Sequence, residues 1–107
     1  MAHLVLKTAI MQDYTEASVL KAFDHSTGTL TTAVGLAQIQ TFFVGLFGAL
    51  SDTSALAAPE IDTTEGPKQT YLVWSCSSSG ITSATDTFMY GADNKITRQN
   101  IAYASAA

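Results

Sequence analysis

QTYLVWSCSSSGITSATDTFMYGADNKITRQNIAYA, residues 69–104, decides the fold, because it reads as three consecutive antiparallel strands. Tyr71, Leu72, Val73 and Trp74 are an apolar, aromatic and β-branched run of the kind that suits a half-buried pleated surface. Alternation puts Leu72, Trp74 and Cys76 on one face and Tyr71, Val73 and Ser75 on the other. Ser77, Ser78, Ser79 and Gly80 signal a loop, and a second strand follows from Ile81 to about Tyr90. Gly91, Ala92, Asp93 and Asn94 make the next turn, where asparagine takes a left-handed conformation cheaply. The last strand, 95–104, alternates Ile96, Arg98 and Asn100 against Thr97, Gln99, Ile101 and Tyr103.

Working outward from this meander, the second organising element is LAQIQTFFVGLFGAL, residues 36–50. Leu36, Ile39, Phe43, Leu46, Phe47 and Leu50 follow the i, i+3, i+4, i+7 spacing of an amphipathic helix, and Phe42 widens the stripe. The opposite face holds Ala37, Gln38, Thr41, Gly45 and Gly48, small or uncharged residues that suggest close approach by another backbone. No charged residue lies between Asp24 and Asp52. Residues 51–53 end the helix, and 54–64 read as a weaker strand that Pro59 pushes toward an edge or a bulge. Glu60, Asp62 and Glu65 are spaced like solvated strand-end acids, and residues 65–68 turn into the meander.

Toward the beginning of the chain, residues 3–12 pattern as a short helix with Leu6, Ala9 and Ile10 on one face, too short to stand without docking. Residues 17–23 read as a strand, with Val19, Lys21 and Phe23 alternating against Leu20 and Ala22. Turn chemistry at 24–28 lets 29–34 pair back as a hairpin. His25 in that turn reads as a solvated histidine rather than a base.

With 107 residues, the chain is expected to form one domain, 1–107, able to bury a core without staples. Five Lys and Arg against nine Asp and Glu give a net charge of −4 and no basic stripe, which argues against nucleic acid and against anionic membrane surfaces. A single cysteine, Cys76, excludes an intrachain disulfide framework and a cysteine zinc site, and no metal site is expected from the acids. No run reaches transmembrane length and no charged leader precedes an apolar segment, so the expectation is a soluble cytoplasmic protein.

One residue stands out chemically. Asp86 lies mid-strand between Thr85 and Thr87, on the parity of Phe88 and Tyr90, where strands normally place apolar side chains. Facing an apolar cavity, its carboxyl would be raised in pKa by desolvation and could donate to a ligand carbonyl. Accepting hydrogen bonds that merely order the sheet is the competing role.

The order helix, strand pair, long helix and meander is an α+β plan. Within it, residues 13–20, DYTEASVL, resemble the start of the first strand in nuclear transport factor 2-like proteins, the superfamily that includes ketosteroid isomerase and polyketide cyclases. Gly35, Ile39, Phe42 and Phe43 resemble its long-helix pattern. Thr85, Asp86, Thr87 and Phe88, with Asp93, Asn94, Lys95 and Ile96, resemble one of its hairpins, and Gln99 sits where many members carry glutamine. The resemblance covers about residues 11–105.

It implies a strongly curved antiparallel or mixed sheet wrapped as a cone around the long helix, a cystatin-like α+β roll. Inside, a pocket would take a small apolar ligand against Phe43, Trp74, Phe88 and Tyr90. No cofactor is implied. By the same resemblance Asp86 matches the aspartic acid that ketosteroid isomerase keeps protonated as a hydrogen-bond donor, a worked case of pKa tuning. The isomerase's base position falls on Ala22, with Asp24 as the nearest substitute of the same parity.

Only ten residues precede Met11, so the family's long first helix is expected to be missing or reduced to a stub whose Leu4, Leu6 and Ile10 dock on the cone or a neighbouring chain. These features imply a homo-oligomer, in the first instance a symmetric dimer. The fold leaves function open between proton-transfer chemistry of isomerase or lyase type on an apolar carbonyl compound and a non-catalytic assembly module.

Overall fold

The computed structural model describes residues 11–64 and 68–105. Its elements are β1 (Tyr14–Asp24), β2 (Thr29–Val34), α1 (Gly35–Ala49), β3 (Leu56–Thr64), β4 (Gln69–Cys76), a short 3-10 turn (Ser77–Ser79), β5 (Ile81–Tyr90) and β6 (Ile96–Ser105). They build an α+β fold in which one six-stranded sheet, in the order β2-β1-β6-β5-β4-β3, curves around the helix. The expected stub lies outside the described residues apart from its last positions. Of these, Met11 packs against the core.

The meander of β4, β5 and β6 forms as its alternation predicts, each strand antiparallel to the next. β3 is an edge strand, and its pairing with β4 is irregular between Ala57 and Glu60, around the position of Pro59. Proline offers no N–H to a ladder, so an edge position and a break in register are where it can sit. The sequence pattern left one pairing unspecified: β1 runs parallel to β6, which makes the sheet mixed. That contact joins the first strand to the last and closes the core.

Curvature comes from breaks in register. In β1 the pairing with β6 shifts between Tyr14 and Val19. There Ser18, fully buried, donates its hydroxyl to the Ile96 carbonyl and accepts the Thr15 N–H at 2.8 Å. A side chain thus replaces a ladder hydrogen bond where the strand bends. A second shift between Met89 and Tyr90 corrects the expected alternation of β6. Ile96 is buried, while Thr97 is exposed and bonds the Met89 carbonyl from outside. Strict alternation had placed both residues on the opposite faces, and a register slip reverses them.

α1 begins one residue earlier than its apolar spacing suggests, at Gly35. Gly35 has φ +83°, and a side chain there would meet the Glu16 carbonyl at 3.3 Å, so this position needs glycine. Glu16 of β1 accepts the Leu36 N–H at 3.1 Å and Gln38 accepts the Val34 N–H at 2.9 Å, so borrowed side chains satisfy the first turn. The helix lies closest to β1 and β2 and buries Ile39 and Phe43 against Leu20, Ala22 and Ala33. Its opposite face does not meet another backbone among the described residues: Gly45 and Gly48 have open space where a Cβ would be. No helix among the described residues is long and apolar enough to cross a membrane.

Past the helix, the Asp52 carbonyl accepts the hydroxyls of Ser78 and Ser79 and the Cys76 thiol. The run of serines therefore pins the end of the helix to the end of β4. Cys76 is fully buried in that contact, a packed thiol rather than an exposed nucleophile.

Candidate active site

Because α1 covers mainly β1 and β2, the concave face of β4, β5 and the lower part of β6 looks into a cavity of about 370 Å3. Its walls are largely apolar, with Phe43 and Leu46 from the helix, Leu72 and Trp74 from β4, and Phe88 from β5. Asp86, Gln99 and Tyr14 bring polar atoms to it, and Asp13 reaches it as an exposed residue at the rim.

Cross-strand geometry assembles the polar group. Asp86 stands opposite Leu72 on β4 and Ile101 on β6. Its same-face diagonal neighbours, two residues along each partner, are Trp74 and Gln99, within reach of long side chains. Trp74 Nε1 donates to Asp86 Oδ1 at 2.9 Å, and Gln99 Nε2 donates to Oδ2 at 2.8 Å. The Tyr14 hydroxyl in turn donates to Gln99 Oε1. This fixes the amide: its oxygen faces Tyr14 and its nitrogen faces Asp86. Two donors, Trp74 and Gln99, thus converge on one carboxyl, and Tyr14 holds the second of them in place.

Asp86 is 6 % exposed, Gln99 2 % and Tyr14 6 %. Burial raises the Asp86 carboxyl above the ordinary carboxylate range, and the hydrogen bonds from Trp74 and Gln99 pull in the other direction without cancelling it. Tyr14 is also pushed up, chiefly by burial. It therefore stays protonated and keeps donating. A carboxyl has about four lone-pair sites, and two are engaged here, so the group can also carry a proton into the cavity.

The structure places the residues singled out by sequence as follows. Phe43, Trp74 and Phe88 line the cavity beside Asp86. Tyr90 is not among its walls; it packs on the core and donates its hydroxyl to Thr70 at 3.1 Å. Asp24 is the last residue of β1, away from this cavity: its carboxylate accepts the Ser26 hydroxyl and the Ser26 N–H at 2.9 Å, which lower its pKa. Ala22, at the isomerase's base position, is buried beneath the helix. His25 is exposed and its ring meets Phe23 edge-on at 4.8 Å.

Sequence reasoning missed the roles of Gln99, Tyr14 and Asp13. For Gln99 a signal existed: a polar residue on the parity of Ile101 and Tyr103. Tyr14 and Asp13 carried none, because a bulge and a turn bring them to the cavity.

No protein-family model matches the chain, and no curated protein matches it in sequence. Solved structures do match. A protein of unknown function with a cystatin-like fold from Methylobium petroleophilum superposes with a TM-score of 0.69 at 12% identity, over 98% of this chain and 69% of that one. A steroid delta-isomerase from Pseudomonas aeruginosa gives 0.66 at 12% identity, over 95% and 77%. A SnoaL-like protein of unknown function from Burkholderia thailandensis gives 0.66 at 16% identity, over 97% and 86%. Identities this low speak to the fold, and on that level they bear out the resemblance seen in the sequence: the chain has the curved-sheet α+β fold shared by nuclear transport factor 2-like and ketosteroid-isomerase-like proteins.

Proposed function

We propose that this protein binds a small apolar carbonyl compound in the cavity beside Asp86 and moves a proton on it, as an isomerase or lyase does. The observation that carries the reading is a carboxyl of raised pKa in an apolar wall, oriented by Trp74 and Gln99. A neutral Asp86 donates its O–H to the carbonyl oxygen and stabilises the enolate formed when the neighbouring carbon loses its proton. Asp13, at the rim of the same cavity, is the carboxylate that takes that proton and returns it at a second carbon. Two carboxyls in unlike surroundings, one buried and one exposed, suit the roles of donor and base. The steroid delta-isomerase among the fold relatives supports this reaction class.

A β,γ-unsaturated cyclic ketone tests the reading, with conjugation followed by ultraviolet absorbance. Conversion above the buffer rate should fall by about 10²-fold or more in Asp86→Asn and in Asp13→Asn. A ketone that neither binds nor converts any faster than in buffer would overturn it.

A second reading, assembly with further copies of this chain, is favoured by apolar residues on the convex face. Leu30, Val34 and Tyr71 are 56%, 48% and 42% exposed there. The two readings are compatible, since assembly through the convex face leaves the concave cavity free.

A further inference from the structure

A second cavity, of about 470 Å3, shares Leu46 and Trp74 with the first as a common wall. Asp86 and Gln99 are not part of it. Phe42, Ile81 and Ile101 give it apolar sides, and its volume is that of a small-molecule pocket.

The helix wall is the informative side. Thr41, Gly45 and Ala49, spaced i, i+4 and i+8, all face this cavity. Gly45 lies in the helix interior, has no left-handed backbone, and has open space where a Cβ would be. Neither conformation nor packing among the described residues calls for glycine there, and glycine disfavours a helix. Its effect is to keep the wall open.

Among the described residues that line this cavity, the single charged group is a carboxylate. Asp24 lines it with a carboxylate that the Ser26 hydrogen bonds keep ionised. Tyr103, Ser79, Thr41 and Ser105 add hydroxyls, and no Lys, Arg or His lines it among the described residues. Apolar sides with one carboxylate and hydroxyl acceptors match an apolar body carrying one positive charge.

We propose that this second cavity binds a small apolar amine, with its hydrocarbon part against Phe42, Ile81 and Ile101 and its ammonium group at the Asp24 carboxylate. The site does not depend on the Asp86 reading and stands or falls separately. Calorimetric titration of the whole chain with phenethylamine, phenethyl alcohol and phenylacetate tests it. The amine is expected to bind about tenfold more tightly than the alcohol, the difference between a charge-assisted and a neutral contact, with phenylacetate weakest. Asp24→Asn keeps an acceptor for the Ser26 turn but removes the charge, so the amine should lose its advantage. Gly45→Leu fills the helix wall and should block amine and alcohol alike, while the protein melts no lower than the parent. Equal affinity of amine and alcohol in the parent would overturn the proposal. So would a preference that survives Asp24→Asn, and if Gly45→Leu does not fold, the Asp24 comparison alone decides.

Discussion

Replacing Gln99 by leucine keeps a side chain of similar size but removes two buried hydrogen bonds at once. Asp86 loses an N–H donor at 2.8 Å, and the Tyr14 hydroxyl loses its acceptor. The first loss costs about 0.5–1.5 kcal/mol while Asp86 is protonated and about 1.5–3 kcal/mol once it is ionised, and leaving the buried hydroxyl unpaired costs about 1–3 kcal/mol. Burial of the leucine side chain offsets roughly 1–2 kcal/mol of this. The expected net destabilisation is about 1–3 kcal/mol, the larger figure where Asp86 is ionised, or a fall in melting temperature of roughly 5–20 °C for a domain of this size.

The deficit should depend on pH, and its sign follows from the direction of the Asp86 shift. Burial already holds the folded carboxyl above its unfolded range, and losing the Gln99 donor raises it further. A carboxyl with a raised folded pKa binds its proton more tightly in the folded state. It therefore costs stability as pH rises from the unfolded value toward and beyond the folded one. Below the unfolded value both states are protonated and the cost vanishes. The deficit of Gln99→Leu should be largest at alkaline pH, where Asp86 is ionised, and shrink as pH falls through the folded pKa toward the ordinary aspartate range, about 4. Urea unfolding followed by the fluorescence of Trp74, the single tryptophan, measures it across pH, with carbon NMR of the Asp86 carboxyl alongside. A deficit of constant size from acid to alkaline pH, or an Asp86 titration unmoved by the substitution, would refute the reasoning.

Ser18→Ala should cost about 1–3 kcal/mol, because it strips hydrogen-bond partners from the Ile96 carbonyl and the Thr15 N–H at the bend of β1; thermal unfolding would show it, and an unchanged midpoint would mean water replaces the hydroxyl. Gly48→Ala should stabilise the protein by about 1 kcal/mol, since the added methyl meets open space in a helix. Gly35→Ala should do the reverse, as its φ is +83° and the Glu16 carbonyl is 3.3 Å from the new carbon; the pair of denaturation curves checks both signs. Sedimentation at micromolar concentration should give a dimer, and replacing Leu30 and Tyr71 by lysine should shift it toward monomer; a parent that runs as a monomer removes the assembly reading.

Much of the fold was legible because the periods that encode it are local. Alternation along 69–104 specified three strands, the i, i+3, i+4 stripe specified α1 to within a residue, and Pro59 pointed to an edge or a bulge for β3, which has both an edge position and a break in register. Asp86 was visible for the same reason, since an acid at an inward strand position breaks a local rule. Its partners were less so. Trp74 and Gln99 are 12 and 13 residues from it, and which of their atoms meet the carboxyl depends on the register of two ladders. Tyr14 is 85 residues from Gln99 and reaches it only because β1 pairs parallel to β6 and bends at Ser18.

A residue's face within one strand follows from bond geometry, so sequence alone determined the elements, their amphipathic sides and the odd carboxylate among aromatics. Which strands neighbour one another, where a bulge reverses Ile96 and Thr97, and how much space the helix leaves are sums over contacts between distant segments. Only the tertiary structure decided those. With them came the paired donors on Asp86, the two cavities on either side of Leu46 and Trp74, and the open wall at Gly45.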